Sequence, residues 1–157
     1  MLYSIKSAQL LHTDADTLWQ FISSPRNLAL ITPPYMRFTI LNDPGGQMYA
    51  GQIIEYAIRP VLGIKLHWVT EITHVAGKTF FVDEQRFGPY AFWHHKHTLR
   101  QTKDGVDMTD EVHYQLPLGI LGRMAHALFV KRQLQAIFDY RRQKLDELFN
   151  TPSIHTR

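Results

Sequence analysis

Residues 119–149 read GILGRMAHALFVKRQLQAIFDYRRQKLDELF. Apolar side chains recur every three or four positions, which is the spacing of an amphipathic helix. The predicted inward stripe consists of Leu121, Met124, Leu128, Leu134, Phe138, Arg141, Leu145 and Leu148. About 30 residues at a rise of 1.5 Å each form a helix of about 45 Å. A helix of that length needs a broad surface to bury its stripe, and an open, curved antiparallel sheet provides one.

The chain before this helix has the pattern of repeated strands. The six predicted strands are 35–41, 52–59, 64–75, 79–87, 91–101 and 106–116. Turn-forming residues such as Gly77 and Asp104-Gly105 separate them, and short connections favour antiparallel neighbours. The first part of the chain predicts a strand over 3–12, a short helix capped near Asp14, and a second short helix from Pro25 to Ile31. The predicted order is one strand, two short helices, six strands and one long helix.

Composition limits the class of protein. A chain of 157 residues predicts one domain, which we place at 1–150 with a C-terminal tail at 151–157. The chain has no cysteine, which excludes a disulfide scaffold, a zinc–thiolate site, an iron–sulfur cluster and a cysteine nucleophile. Of the formal net charge of +3, residues 116–157 contribute seven basic and three acidic side chains, a local excess of 7 − 3 = 4. Because Asp139 and Asp146 lie at pairing distance from Arg142, this excess predicts a solvated helix face and no nucleic-acid partner.

The order of elements resembles the START-like or Bet v 1-like superfamily (SRPBCC), whose members have the helix-grip fold. The matching stretches are FISSPRNL at 21–28, ITPP at 31–34, DEQ at 83–85, GPY at 88–90, WHHKH at 93–97 and LPLG at 116–119. The resemblance covers residues 3–149 and is closest to small bacterial members of mostly unassigned function. It implies an α+β fold in which a curved, seven-stranded antiparallel sheet wraps around a long C-terminal helix. It does not choose among the binders, lipid carriers and cyclases that share the superfamily.

The predicted strand 91–101 carries the densest group of reactive side chains. Strand side chains alternate between faces, so Trp93 and Leu99 on the covered face carry His95 and His97 inward with them. The neighbouring strands hold further polar residues in the same phase: Asp83, Gln85 and Asp110. We therefore expect these five polar side chains to lie together beneath the long helix.

This inward polar set has two compatible interpretations. Buried imidazoles and carboxylates can satisfy one another in a closed network, or they can form the polar end of an apolar ligand pocket. The predicted cavity walls are Trp68, Phe81, Trp93, Tyr114, Leu128 and Phe138. The predicted polar contacts are Asp83, Gln85, His95, His97, Asp110 and Arg141. The expected ligand is a hydrophobic or amphipathic small molecule with at least one polar or acidic group.

Three alternative functions remain open at this stage. His95, His97 and Asp110 could act as acid–base groups, as the resemblance to polyketide cyclases and dehydratases implies. His95 and His97 with Asp83 or Asp110 would also suit a metal, but we predict no metal or cofactor, since the small members of the superfamily are not typical metalloproteins. The basic C-terminal helix could instead serve an interaction module.

Two further patterns bear on cellular context. No run of about 18 apolar residues occurs, and the first residues lack a secretory pattern, so we expect a cytoplasmic protein with no stable membrane insertion. The glycine-rich loop at 43–51 lacks the Gly-Lys-Ser/Thr ending of a phosphate-binding loop, which predicts a plain turn or a hairpin at a pocket mouth.

Overall fold

A computed structural model of the chain describes residues 1–42, 45–60 and 63–151. The strands are β1 (Tyr3–Leu11), β2 (Thr39–Ile40), β3 (Gln52–Ile58), β4 (Leu66–Ala76), β5 (Phe80–Phe87), β6 (Phe92–Thr102) and β7 (Gly105–Gln115). The helices are α1 (Ala15–Ile22), 3₁₀ helices at Pro25–Ile31 and Pro34–Met36, α2 (Gly119–Ala125), a π-helical turn (His126–Val130) and α3 (Lys131–Phe149). The predicted element order and α+β class are confirmed. The predicted tail from 152 onward and part of the 43–51 loop lie outside the described residues.

The seven strands form one antiparallel sheet in the order β1-β7-β6-β5-β4-β3-β2. Strands β2 to β7 follow one another as neighbours, as their short connections predict. The first strand lies beside the last, with pairs running from Tyr3 opposite Tyr114 to Leu11 opposite Val106. Strand β6 therefore lies between β5 and β7, which brings the residues of the inward polar set onto three adjacent strands.

The predicted strand at 35–41 is wrong over most of its length. Pro34 begins a 3₁₀ turn, because its ring fixes φ and it has no N–H for a sheet ladder. Arg37 ends that turn with a φ of 46°, a left-handed value that no strand residue adopts. Only Thr39 and Ile40 pair with β3. The second short helix, Pro25–Ile31, is confirmed in position and is of the 3₁₀ type.

The C-terminal helical segment runs from Gly119 to Phe149 as predicted, but its inward face differs in the first half. Gly122, His126, Val130 and Leu134 are buried at intervals of four residues. In a regular α-helix a four-residue interval drifts by about 40° per step, and the wider π turn at His126–Val130 absorbs part of that drift. Leu128 is 69% exposed, so the prediction that it faces inward is wrong. Leu121, Met124 and Leu148, at 66%, 55% and 50% exposure, also leave the predicted stripe.

The beginning of this helical segment packs closely on the end of β7. A Cβ atom on Gly122 would lie 2.1 Å from the carbonyl oxygen of Pro117, so only glycine fits this approach. His126 is the first residue after α2. Its ring stacks on Tyr3 with 3.5 Å between centroids, and it shares a 2.9 Å hydrogen bond with the hydroxyl of Tyr114. The π turn is thus attached to both β1 and β7.

One end of the space between sheet and helix is filled. Leu11, Leu18, Val106 and Leu145, none more than 1% exposed, pack there together with Trp19. This solid core joins α1 and the end of α3 to the sheet. The remaining space under the helix is open enough to hold a cavity.

Candidate functional site

A cavity of about 570 Å³ lies between the inner face of the sheet and the C-terminal helical segment. Its walls are mostly apolar, and the aromatic lining residues are Phe21, Phe38, Tyr56, Trp68, Phe81, Tyr90, Trp93, Phe129 and Phe138. The charged and imidazole side chains on its surface are Asp83, His95, His97 and Arg141. Four predicted wall residues, Trp68, Phe81, Trp93 and Phe138, therefore do line the cavity.

Four of the five residues in the inward polar set form one buried group, which we call the histidine–aspartate cluster: Asp83, His95, His97 and Asp110. Cross-strand pairing builds it, because Asp83 is opposite His95 and His97 is opposite Asp110. The two rings lie 3.7 Å apart between centroids, and Phe81 stacks on His97 at 4.0 Å.

Every ring nitrogen of the cluster faces a carboxylate. His95 places Nδ1 at 3.3 Å from Asp83 and Nε2 at 3.1 Å from Asp110. His97 places Nε2 at 2.8 Å from Asp83 and Nδ1 at 2.6 Å from Asp110. The Asp83 contacts all use Oδ2 and the Asp110 contacts all use Oδ1. One oxygen of each carboxylate therefore bridges the two rings.

Arg141 of α3 adds a cation to the cluster from the helix side. Its Nε lies 3.6 Å from Asp110 Oδ2, which is an ion pair without a hydrogen bond, and that buried Nε has no hydrogen-bond partner among the described residues. One Nη atom lies 3.4 Å from Nδ1 of His97. The helix thus balances the charge of the cluster and also presents a guanidinium to the cavity.

The charges of the cluster support one another. Burial alone would raise the pKa of Asp83, but the charges and hydrogen bonds of His95 and His97 hold that pKa well below its usual range. Burial likewise opposes ionisation of Asp110, and the charge of Arg141 with the two rings holds its pKa well below the usual value. For His95, burial lowers the pKa, whereas the charge of Asp83 and the bond to Asp110 outweigh burial and raise it. Each of these pKa shifts favours the ionised form of its group: a carboxylate on Asp83 and on Asp110, and an imidazolium on His95.

Asp83 is the carboxylate of the cluster that meets the cavity. It lines the cavity, and 17% of its side chain is exposed, against 8% for Asp110. Since both of its ring contacts use Oδ2, its Oδ1 remains available to a ligand.

A second polar group lies on β3 and β4. Thr70 Oγ1 accepts a 3.1 Å hydrogen bond from Trp68 Nε1 and shares a 3.1 Å bond with the Tyr56 hydroxyl. One hydroxyl proton suffices for the Tyr56–Thr70 bond, so the second hydroxyl proton of the pair can be donated to a ligand. Burial, followed by the charge of Asp83, raises the pKa of Tyr56, which keeps its hydroxyl protonated. Tyr56 and Thr70 are not among the predicted site residues, although the alternation Ile54-x-Tyr56-x-Ile58 indicates an inward Tyr56.

Four predicted site residues do not line the cavity: Gln85, Asp110, Tyr114 and Leu128. Gln85 donates from Nε2 to the Tyr90 carbonyl at 2.7 Å and accepts from the Tyr90 N–H at 3.2 Å, so it closes the turn after β5. Gly88 permits this closure, because a Cβ there would lie 2.5 Å from Gln85 Oε1. Asp110 lies behind the two rings, and the hydroxyl of Tyr114 is directed to His126. Leu128 faces outward, with 69% of its surface exposed.

The cluster also has a spacing that metals use. Asp83, His95 and His97 each offer one ligand atom within 4.8 Å of the others, a two-histidine, one-carboxylate set. The Arg141 guanidinium beside Asp110 disfavours a further cation there. The contacts among the four side chains are those of a hydrogen-bonded network.

Comparison with known proteins identifies the fold. No protein-family model matches the chain, and no curated protein matches it in sequence. Protein CV1439 from Chromobacterium violaceum matches in structure with a TM-score of 0.72 at 12% identity, over 94% of this chain and 97% of that one. Major latex-like protein 151 from Panax ginseng matches with a TM-score of 0.69 at 9% identity, over 96% and 99% of the two chains. Ara h 8.0201 matches with a TM-score of 0.62 at 13% identity, over 94% and 99%.

These matches show that the chain has the Bet v 1-like, helix-grip fold, as the sequence resemblance implies. At these identities the likeness extends to the fold alone. In the described ranges of the chain, no helix combines the length and apolar character needed to span a bilayer.

Proposed function

We propose that the chain binds a hydrophobic or amphipathic small molecule in its cavity, with the polar end of the ligand at Asp83. The observation that carries this proposal is a cavity of about 570 Å³ with mostly apolar walls and one group of convergent polar side chains. Small-molecule sites have this volume and this make-up. The fold is consistent with the proposal, since it encloses the same space between sheet and helix.

The groups around the cavity indicate the chemistry of the ligand's polar end. Asp83 Oδ1 is an ionised acceptor, which calls for a hydroxyl or another hydrogen-bond donor on the ligand. Arg141 and the Tyr56–Thr70 pair are donors, which suit an acceptor on the ligand. The guanidinium of Arg141 already has an anion beside it, the carboxylate of Asp110 at 3.6 Å, so it does not require a carboxylate on the ligand. A neutral ligand with a hydroxyl beside a carbonyl or ether oxygen fits best.

Binding accounts for the cluster better than turnover does. A general base needs a free nitrogen or oxygen with a pKa near the working pH. Every ring nitrogen of His95 and His97 already faces a carboxylate within 3.3 Å. Asp83 has an available oxygen, but its lowered pKa makes it a weak base. The rings and Asp110 are therefore suited to holding Asp83 ionised and in place.

A second candidate is cyclase- or dehydratase-like acid–base catalysis in the same cavity. Its support is that Asp83 contacts both rings and the cavity, so a proton could pass between His95 and a bound substrate through Asp83. This function requires turnover of a polyketide-like substrate that His95→Ala and Asp110→Asn abolish. A folded wild-type protein without pH-dependent turnover of such substrates would remove it.

The binding proposal can be tested by displacement of a fluorescent apolar dye from the purified protein. Long-chain alcohols should displace the dye better than the methyl ethers of the same chain length, about tenfold or more, because only the alcohols donate to Asp83. Asp83→Asn should reduce this preference, whereas Asp107→Asn, on the outer part of β7, should leave it unchanged. Native mass spectrometry would identify any ligand that co-purifies.

Two outcomes would contradict the proposal. If the wild-type protein bound neither dye nor any apolar ligand, the cavity would not be a binding site. If alcohols and ethers bound equally to the wild-type protein, the assignment of Asp83 as the acceptor would be wrong, and this comparison needs no variant to fold.

A further inference from the structure

The first half of the C-terminal helical segment exposes a group of large apolar side chains, which we call the mouth patch. Its members are Leu118, Ile120, Leu121, Met124, Leu128 and Phe129, with exposures from 46% to 76%. Leu118 directly precedes the helical segment and the other five lie on it, where Leu121, Met124 and Leu128 are three and four residues apart and so are neighbours on its surface. A contiguous apolar surface of this kind marks an interaction site.

The mouth patch is continuous with the cavity. Leu118, Leu121 and Phe129 are exposed to solvent and also line the cavity. A side chain that does both lies at the opening. The patch therefore surrounds an entrance to the space under the helix.

The charge around the patch is of one sign. No Asp or Glu occurs between Glu111 and Asp139, whereas Arg123, Lys131 and Arg132 are exposed among the patch residues. Arg123 is three residues from Ile120, and Lys131 and Arg132 are three and four residues from Leu128, which places them on neighbouring positions of the helix surface.

Exposed apolar residues elsewhere have a different setting. On the outer face of the sheet, Phe87 lies next to Arg86, which pairs with Glu71 at 2.6 Å and Glu84 at 3.1 Å. Charges of both signs thus accompany the apolar side chain there. In the stretch of chain that forms the mouth patch, by contrast, the charged side chains are all cations.

We propose that the mouth patch docks on the surface of an anionic lipid bilayer. Its apolar side chains would enter the boundary between headgroups and acyl chains, and the flanking cations would lie at the level of the anionic headgroups. A second copy of the chain fits the patch less well, because it would bring Arg123, Lys131 and Arg132 against the same cations of its partner. An anionic bilayer provides acyl chains for the apolar side chains and negatively charged headgroups for the cations.

Docking in this way places the cavity opening against the bilayer. If the cavity binds an amphipathic molecule as proposed above, the molecule can pass between bilayer and cavity without crossing water. The docking itself does not depend on that function, and vesicle binding can be measured without knowing the ligand.

The test is flotation of the purified full chain with two kinds of vesicle: phosphatidylcholine alone, and equal parts of phosphatidylcholine and phosphatidylserine. We expect binding to the mixed vesicles that weakens as salt is raised, and much weaker binding to phosphatidylcholine alone. Leu128→Ser should lower the partition coefficient about tenfold, because it removes a side chain that enters the interface. Arg132→Gln should lower it about fivefold.

The same helix supplies matched controls. Leu148→Ser and Arg142→Gln change exposed residues of the same types near the other end of α3, and they should leave vesicle binding unchanged. Equal losses in the Leu128 and Leu148 variants would overturn the proposal, as would binding that is independent of phosphatidylserine. Absence of vesicle binding at low salt would also overturn it. In that case, loss of a wild-type dimer in Leu128→Ser on size-exclusion chromatography would assign the patch to self-association instead.

Discussion

The histidine–aspartate cluster and the mouth patch depart from the usual distribution of residues in opposite directions. The cluster places two carboxylates, two imidazoles and the Arg141 guanidinium in the interior, and the patch places six large apolar side chains on the surface. In the cluster, each charged group has partners within the chain. In the patch, the apolar side chains are between 46% and 76% exposed to solvent. A buried polar group that has partners within the chain indicates a structural network, whereas a group of exposed apolar side chains indicates a surface that binds another molecule.

The largest expected effect is on the cluster. Asp110→Asn keeps the size of the side chain but removes the anion beside Arg141, and an uncompensated buried charge costs about 3–5 kcal/mol of unfolding free energy. Asp107→Asn is the matched control on the same strand, since Asp107 is 38% exposed and pairs with an Arg100 that is 76% exposed. That change should cost less than about 1 kcal/mol. Urea denaturation measures both, and equal losses would show that the cluster charges are not interdependent.

The next effect compares two leucines of one helical segment. Leu134→Ala should lower the free energy of unfolding by about 2–4 kcal/mol, because Leu134 is 4% exposed and packs from α3 against β7. Leu128→Ala should stay within about 0.5 kcal/mol, because the side chain is already in solvent. The same denaturation experiment measures both. A large loss for Leu128→Ala would mean that Leu128 is buried and that the mouth patch is not exposed.

The smallest expected effect is a pH dependence that belongs to the cluster alone. Asp83 and Asp110 have lowered pKa values, so the stability they contribute is present above about pH 4 and is lost as the pH falls through their native values. His95 has a raised pKa, so its contribution is present below about pH 6.5 and is lost as the pH rises through its native value. The unfolding free energy should therefore be greatest between about pH 4 and pH 6.5.

Variants of the two regions separate this effect from the rest of the molecule. Asp110→Asn should flatten the acid side of the profile, and Leu128→Ala should leave its shape unchanged. A profile with the same shape in all three proteins would show that the cluster does not couple to folding.

The position of the cluster could be predicted from the sequence, since only strand alternation is needed. Once Trp93 faces the helix, His95 and His97 must do so as well, and Asp83 and Asp110 follow from their own strands. The contacts are as short as they are because the pairing register puts Asp83 opposite His95 and His97 opposite Asp110. Their role in binding remains a prediction.

Other features depend on geometry that alternation and periodicity do not describe. Gln85 has the correct phase, but the Tyr90 backbone lies within hydrogen-bond distance and takes both of its polar atoms. Leu128 has the apolar character of the predicted stripe, but the six residues between it and Leu134 turn a regular helix through about 600°, which places the two side chains about 120° apart around the helix axis. Tyr35 has strand propensity, but the two preceding prolines favour a 3₁₀ turn.

The pairing of β1 with β7 has a consequence for the order of folding. Residues 3–11 complete the sheet only by joining residues 105–115, about a hundred positions later in the chain. During synthesis β1 therefore cannot pair until β7, the last strand in the chain, has been made. Pairings over such separations slow folding towards milliseconds or seconds. Until β1 arrives, the edge of β7 is unpaired, and the nascent chain is then most exposed to association with other strands.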